Sequence, residues 1–257
     1  MTGALIPSWF VYQQPSRVDM NVASIIWGFT LGNAFFTASK ATKQLWGIYS
    51  RKREITTYMV IVIAEWMSSF LIGIMSWLFL WGIIRPGFEF FFILLCLWVL
   101  QTQCIIQIII NRIALLVRDK KIVNRLKWGC AVGLGIINIS VFCVWIPARL
   151  QISAQWIHVN EIWDRVEKVI FCLIDAGLNF YFIYLVRSRL IANGLTKYNG
   201  LYKFNILMIF VSMSLDIILI GVMSIGQGYV YVQFHPFVYM VKLHIELNMA
   251  GLITKIV

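Results

Sequence analysis

The sequence predicts an all-α, polytopic membrane bundle of seven transmembrane helices, N-terminus outside and C-terminus cytosolic. Three observations carry that expectation. Apolar residues make up 60% of the 257 and charged residues only 13%, against roughly 45–50% and about 25% in soluble domains. The mean hydropathy is +0.80, so most of the chain's solvent is lipid. Apolar stretches approach the ~20 residues that a spanning helix needs, and basic residues concentrate in alternate connections between them.

Residues 1–20 read as a polar N-terminal segment. Pro7, Pro15, Arg17 and Asp19 break any pattern of basic start, apolar core and cleavage site, so the first hydrophobic helix itself is expected to engage the insertion machinery. Spans follow at 21–42, 56–83, 88–115, 126–147, 166–189, 203–226 and 229–254, making 1–257 a single seven-helix membrane domain. The first is the least apolar and carries Asn33. Pro86-Gly87 predicts a tight turn before the third. A long non-cytosolic connection is expected from Pro147 to Val166. Within it Ile162, Val166, Val169 and Ile170 keep helical spacing, so span five is expected to begin early and project beyond the bilayer. Trp156 and Trp163 suit headgroup depth, or alternatively a lid over a ligand pocket.

Orientation follows from the basic residues. Lys40, Lys43, Arg51, Lys52 and Arg53 follow span one; Arg112, Arg118, Lys120, Lys121, Arg125 and Lys127 follow span three; Arg187, Arg189, Lys197 and Lys203 follow span five. The other connections hold Arg85 alone, a mixed-charge loop, and no Lys or Arg between spans six and seven. That clustering places the net charge of +11 against anionic inner-leaflet headgroups and argues against nucleic acid. The five cysteines all fall in apolar stretches without a CxxC, which reads as buried thiols rather than a disulfide or zinc framework. Neither a Gly-rich phosphate loop nor a metal-ligand spacing occurs, so no cofactor is implied.

Ionisable residues inside spans are costly and usually face the bundle interior. Glu65 lies in span two, Asp175 and Asn179 in span five, Asp216 in span six, and His235, Lys242, His244 and Glu246 in span seven. Gln103, Gln107 and Asn111 recur every four residues as one stripe, with Gln101 off to the side. Asn205, Ser212 and Asp216 share a face, as do His235, Tyr239, Lys242 and Glu246. Lys242 and Glu246 are spaced for an intrahelical ion pair, in the weaker order. These stripes are expected to converge on a polar cavity lined by Gln103, Gln107, Asp175, Asp216, Lys242 and Glu246. The plainer alternative is that they join helices through hydrogen bonds and neutralised pairs.

Several strings resemble a family of fungal seven-span integral membrane proteins: Trp145-Ile-Pro-Ala-Arg-Leu-Gln151, Ile162-Trp-Asp-Arg-Val-Glu-Lys168, Gly194-Leu-Thr-Lys-Tyr198, Phe234-His-Pro236 and Lys242-Leu-His-Ile-Glu246. The resemblance covers the second half of the chain. It implies a fungal origin and the same topology, and carries no activity with it. More loosely, Glu65 in Val62-Ile-Ala-Glu-Trp66 is similar to the early-span acid of fungal transmembrane terpene cyclases.

Three function classes follow. The leading expectation is a receptor-like bundle that binds a small lipophilic ligand in the polar cavity, with basic loops open to a cytosolic protein partner. Asn111-Arg112 stands where G-protein-coupled receptors often place a basic triplet. However, Ile113 follows it, span six lacks proline, and no Asn-Pro-x-x-Tyr ends span seven. The alternative is a membrane-embedded terpene cyclase with Glu65 and Asp216 as proton donors, aromatic faces stabilising the carbocation. Lys242 also stands where opsins attach retinal, but span three offers no mid-membrane carboxylate as counter-ion.

Overall fold

In a computed structural model, residues 6–11, 15–188, 199–224 and 228–253 are described. Arg189, Lys197 and the Gly194–Tyr198 string lie outside the described residues. Seven helices are formed: α1 (Arg17–Lys52), α2 (Thr57–Leu80), α3 (Phe88–Ala114), α4 (Lys120–Arg149), α5 (Ala154–Val186), α6 (Asn199–Ser224) and α7 (Gly228–Ile253). The chain runs up and down, so α1, α3, α5 and α7 begin at one end of the bundle, here the upper end.

Six of the helices, α1 to α6, are long and apolar enough to cross a membrane, which is compatible with a multi-pass membrane protein. α7 falls short of that hydropathy because Gln233, His235, Lys242, His244, Glu246 and Asn248 interrupt it. Yet its 26 residues give it a length of about 39 Å. It packs against α1, α2, α3 and α6, and no described residue of it is exposed. A helix enclosed by protein on all sides need not be apolar, because its polar groups meet partners rather than lipid.

Local chemistry explains the helix ends. Ser16 caps α1 in a reciprocal box with Asp19, and Arg53 ends it in the left-handed conformation. Asp119 and Ser153 accept from the second backbone amides of α4 and α5. The expected connection from Pro147 to Val166 is corrected to four residues. Pro147 lies inside the last turn of α4, and bonds from Leu150 N to Ile146 O and Ile152 N to Pro147 O close a turn that α5 leaves at Ala154. The early start expected for span five is thus present, and earlier than its apolar spacing indicates. The N-terminal segment docks on this turn: Trp9 Nε1 donates to Gln151 O, and the Gln151 side-chain amide bonds both Val11 N and Val11 O.

One contiguous apolar core runs through the bundle, and α3 contributes Ile105, Ile106, Ile108, Ile109, Ile110 and Ile113 to it. Gly73 lets α1 approach α2: a Cβ there would meet the Trp27 ring at 2.5 Å.

Candidate functional site

The ionisable residues of the interior assemble into one connected chain. Lys242 Nζ lies 2.7 Å from Asp175 Oδ2 and 2.6 Å from Asp216 Oδ2, tying α5, α6 and α7 at one point. Asp175 Oδ1 accepts from Asn179 Nδ2 at 2.8 Å, and Asn179 Oδ1 accepts from Arg112 Nη2 at 2.6 Å. Arg112 Nη1 lies 3.1 Å from Glu246 Oε2, near enough for an ion pair though not aligned as a hydrogen bond. The Arg112 guanidinium also sits 4.3 Å from the centre of the Phe182 ring, a cation–π contact. All six residues are buried. They carry two positive and three negative formal charges. Ionic networks of this kind stabilise little compared with apolar packing, so their presence points to a role in specificity or function.

Two expectations are corrected here. Lys242 and Glu246 do not pair along α7: each takes its counter-charge from another helix. Arg112, grouped by sequence with the basic connection after span three, is 1% exposed and belongs to the interior. Spacing along α7 offered Glu246 only Lys242, so nothing in the sequence paired it with Arg112.

Above this network lies a second cluster around a cavity of about 70 Å³ between the upper halves of α2, α3, α4, α5 and α7. Lys168 pairs with Glu167 and, at 3.4 Å, with Asp164. Its ammonium lies 4.9 Å from the centre of the Trp98 ring. Trp98 Nε1 in turn donates to His235 Nε2 at 3.2 Å, which sets the ring proton of His235 on Nδ1. Arg149, Ser76 and Tyr231 add further polar groups to the lining. Ser76 Oγ and Glu167 Oε2 are buried and have no partner among the described residues, a rare condition for protein polar atoms. Pro236, lacking an N–H, cannot donate to the carbonyl of Val232, another lining residue.

The two clusters connect along α7. The His235 and Tyr239 rings stack with centroids 4.5 Å apart, and Lys242 Nζ lies 6.0 Å from the Tyr239 ring centroid. The face shared by His235, Tyr239, Lys242 and Glu246 is therefore a polar column, as their spacing indicates.

The other sequence candidates divide. Asp175, Asp216, Lys242 and Glu246 come together, whereas Gln103 and Gln107 face α4, donating to Ala131 O at 3.2 Å and Lys127 O at 3.1 Å. They join two helices rather than line the cavity. Gln101 instead turns inward, fully buried, and donates to Ser69 Oγ at 2.7 Å. Ser69 donates to Glu65 Oε1 at 3.2 Å. Glu65 is thus held in an α2–α3 hydrogen-bond chain, and neither it nor Asp216 lines the cavity. Trp66, beside Glu65, turns to α1, where its Nε1 donates to Ala34 O. Sequence spacing missed Trp98, Glu167 and Lys168, because nothing in an apolar span marks which aromatic faces inward. Among the described residues no group of His, Cys, Asp and Glu could hold a metal ion.

The fold is an all-helical bundle, six of whose helices are long and apolar enough to cross a membrane, with a buried ionic network below a small cavity. Comparison of the chain with protein-family models, with curated proteins and with solved structures finds no match.

Proposed function

We propose that the chain is a seven-span, receptor-like membrane protein that takes the polar group of a small amphipathic molecule into its upper cavity. The upper end is then the outside, and the clusters Arg51, Lys52, Arg53 and Arg118, Lys120, Lys121 at the lower end face the cytosol, as the distribution of basic residues favours. α7 serves as the seventh span, its polarity accommodated by the helices around it.

The observation that carries the reading is the column from cavity to network: Trp98, His235, Tyr239, Lys242, Asp175, Asn179, Arg112. A ligand that moves Trp98 or His235 acts on groups in contact with the clamp of α5, α6 and α7. Arg112 brings the same network to the lower end of α3. Cavity size narrows the ligand. At about 70 Å³ it is well below the ~300 Å³ of sites that enclose a whole drug-sized molecule, so a polar head enters and an apolar tail stays outside. The head offers hydrogen-bond partners to Ser76 Oγ and Glu167 Oε2. The cyclase reading gains nothing from this cavity, which neither Glu65 nor Asp216 lines.

Binding is tested with purified protein exposed to a total small-molecule extract, fungal in view of the sequence resemblance, then washed and examined by mass spectrometry. A molecule retained by the intact protein and lost by Ser76→Leu, which fills the cavity, and by Lys168→Met supports the reading. Equal retention by intact and filled protein sinks it.

A further inference from the structure

A larger groove of about 1000 Å³ opens at the lower end of the bundle between α1, α6 and α7. Its chemistry is one-sided. Lys40, Lys43 and Arg51 line it, together with His244, and no acidic residue does. Among the described residues none of these three cations has an ion-pair partner. Lys40 is instead held in place by a hydrogen bond from its ammonium to Asn248 Oδ1 on α7, a contact that fixes the charge without neutralising it. Asn248 is itself anchored by donating to His244 O at 2.8 Å.

Ser39 and Gln44 also line it, and two exposed phenyl rings supply its apolar surface: Phe36 on α1 is 66% and Phe204 on α6 is 37% solvent-accessible. From Phe36 to Arg51 the groove follows α1 for roughly 22 Å, about the depth of one leaflet with its headgroups. Arg51 marks the lower end, Lys43 and Lys40 stand ~12 Å and ~16 Å further up α1, and Phe36 lies toward the bilayer middle. Gly47 stands on the α1 wall between Lys43 and Arg51, and a Cβ there would meet nothing within 4 Å, so the groove owes width there to a missing side chain.

We infer that this groove is a binding site for an anionic phospholipid, its phosphate between Lys43 and Arg51 with Lys40 above them, and its acyl chains running past Phe204 toward Phe36. Uncompensated cations at headgroup depth attract anionic lipid, and the apolar wall continues from them toward the bilayer centre, as the lipid's own chains do. A soluble anion would satisfy the cations but leave the phenyl-lined length unused. The choice of leaflet, cytosolic, rests on the orientation proposed above; the site itself does not.

The test is native mass spectrometry of the full chain in detergent, titrated with a diacyl phosphatidic acid, with phosphatidylcholine of the same chains, and with inorganic phosphate. Three proteins are compared: intact, Lys43→Gln/Arg51→Gln, and Gly47→Leu, which fills the groove without altering charge. The intact protein is expected to retain phosphatidic acid over phosphatidylcholine by about tenfold or more, the scale set by two cations beside an anionic headgroup. Both variants are expected to lose that preference while keeping the thermal midpoint of the intact chain. Equal retention of the two lipids, unchanged retention by Gly47→Leu, or displacement of phosphatidic acid by inorganic phosphate at similar concentration would each overturn the site. None of these outcomes depends on the upper cavity or on orientation. A further arm, reconstitution with the anionic lipid confined to one leaflet, assigns the side: protection only from the leaflet facing the N-terminus would contradict the orientation and leave the lipid site standing.

Discussion

Arg112 on α3 and Glu246 on α7 lie 3.1 Å apart, both fully enclosed by protein, at the lower end of the interior network. Spacing along α7 offers Lys242 to Glu246 instead, and the sequence groups Arg112 with a basic connection. The pair joins the helix that carries the isoleucine core to the helix that also carries Lys242. Removing one partner leaves the other charge buried and alone, at a cost of about 3–5 kcal/mol. Arg112→Met and Glu246→Gln are each expected to destabilise on that scale. The double variant should cost less than the sum, with a coupling of about 1–3 kcal/mol in a double-mutant cycle by thermal or denaturant unfolding.

The Lys242 clamp behaves differently because one cation serves two carboxylates. Lys242→Met leaves Asp175 and Asp216 facing each other without a cation, and the variant is expected to unfold or to accumulate poorly. Adding Asp175→Asn and Asp216→Asn to it should recover folded protein, measured as the monodisperse fraction after extraction. Failure of the triple variant to recover would mean that Lys242 supports packing rather than neutralising charge.

Gln103 and Gln107 are expected to matter little. Each donates one interhelical bond to a carbonyl of α4, worth about 0.6 kcal/mol by membrane-protein precedent. Gln103→Leu/Gln107→Leu should lower stability slightly and leave ligand retention in the upper cavity unchanged. Gln101→Leu, which strands buried Ser69 beside Glu65, should cost more than either. A reversed order would show that the α3–α4 seam holds the site.

Topology is open to direct measurement. Single-cysteine labelling with an impermeant reagent, on a chain cleared of native cysteines, should mark position 156 from outside and positions 52 and 119 from the cytosol only. Labelling of 156 and 119 from the same side would contradict the proposed course of α4 and α5.

Helix positions were largely legible. The stretches 88–115 and 229–254 differ by a residue or so from α3 (Phe88–Ala114) and α7 (Gly228–Ile253). Apolar runs locate the segment a helix must shield, and Gly87 and the polar residues about Gln227 bound it. The ends of α1, α4 and α5 were not legible in this way. There the helix continues past its apolar run into residues such as Arg51 and Gln155, which bear on helix capping and not on hydropathy. Half the site was legible too. Carboxylates and a lysine within apolar spans had to meet inside, and Asp175, Asp216 and Lys242 do. Their partners were not, because spacing along one helix offers Lys242 only Glu246, whereas the actual pairing depends on how α5 and α6 are rotated about α7. Gln101 and Gln103 exchanged roles for the same reason: two residues apart on a helix, they face different neighbours, and the sequence alone does not say which neighbour is the core.

The most direct test of communication between cavity and network uses hydrogen–deuterium exchange on the reconstituted chain, with Ser76→Leu standing in for a bound head. The filled cavity is predicted to change exchange not only at the upper ends of α3 and α7 but also around Arg112 and Asp216. That distant change is predicted to vanish when Tyr239→Leu interrupts the column. A response confined to the cavity's own neighbours, or one that persists without Tyr239, would contradict the account.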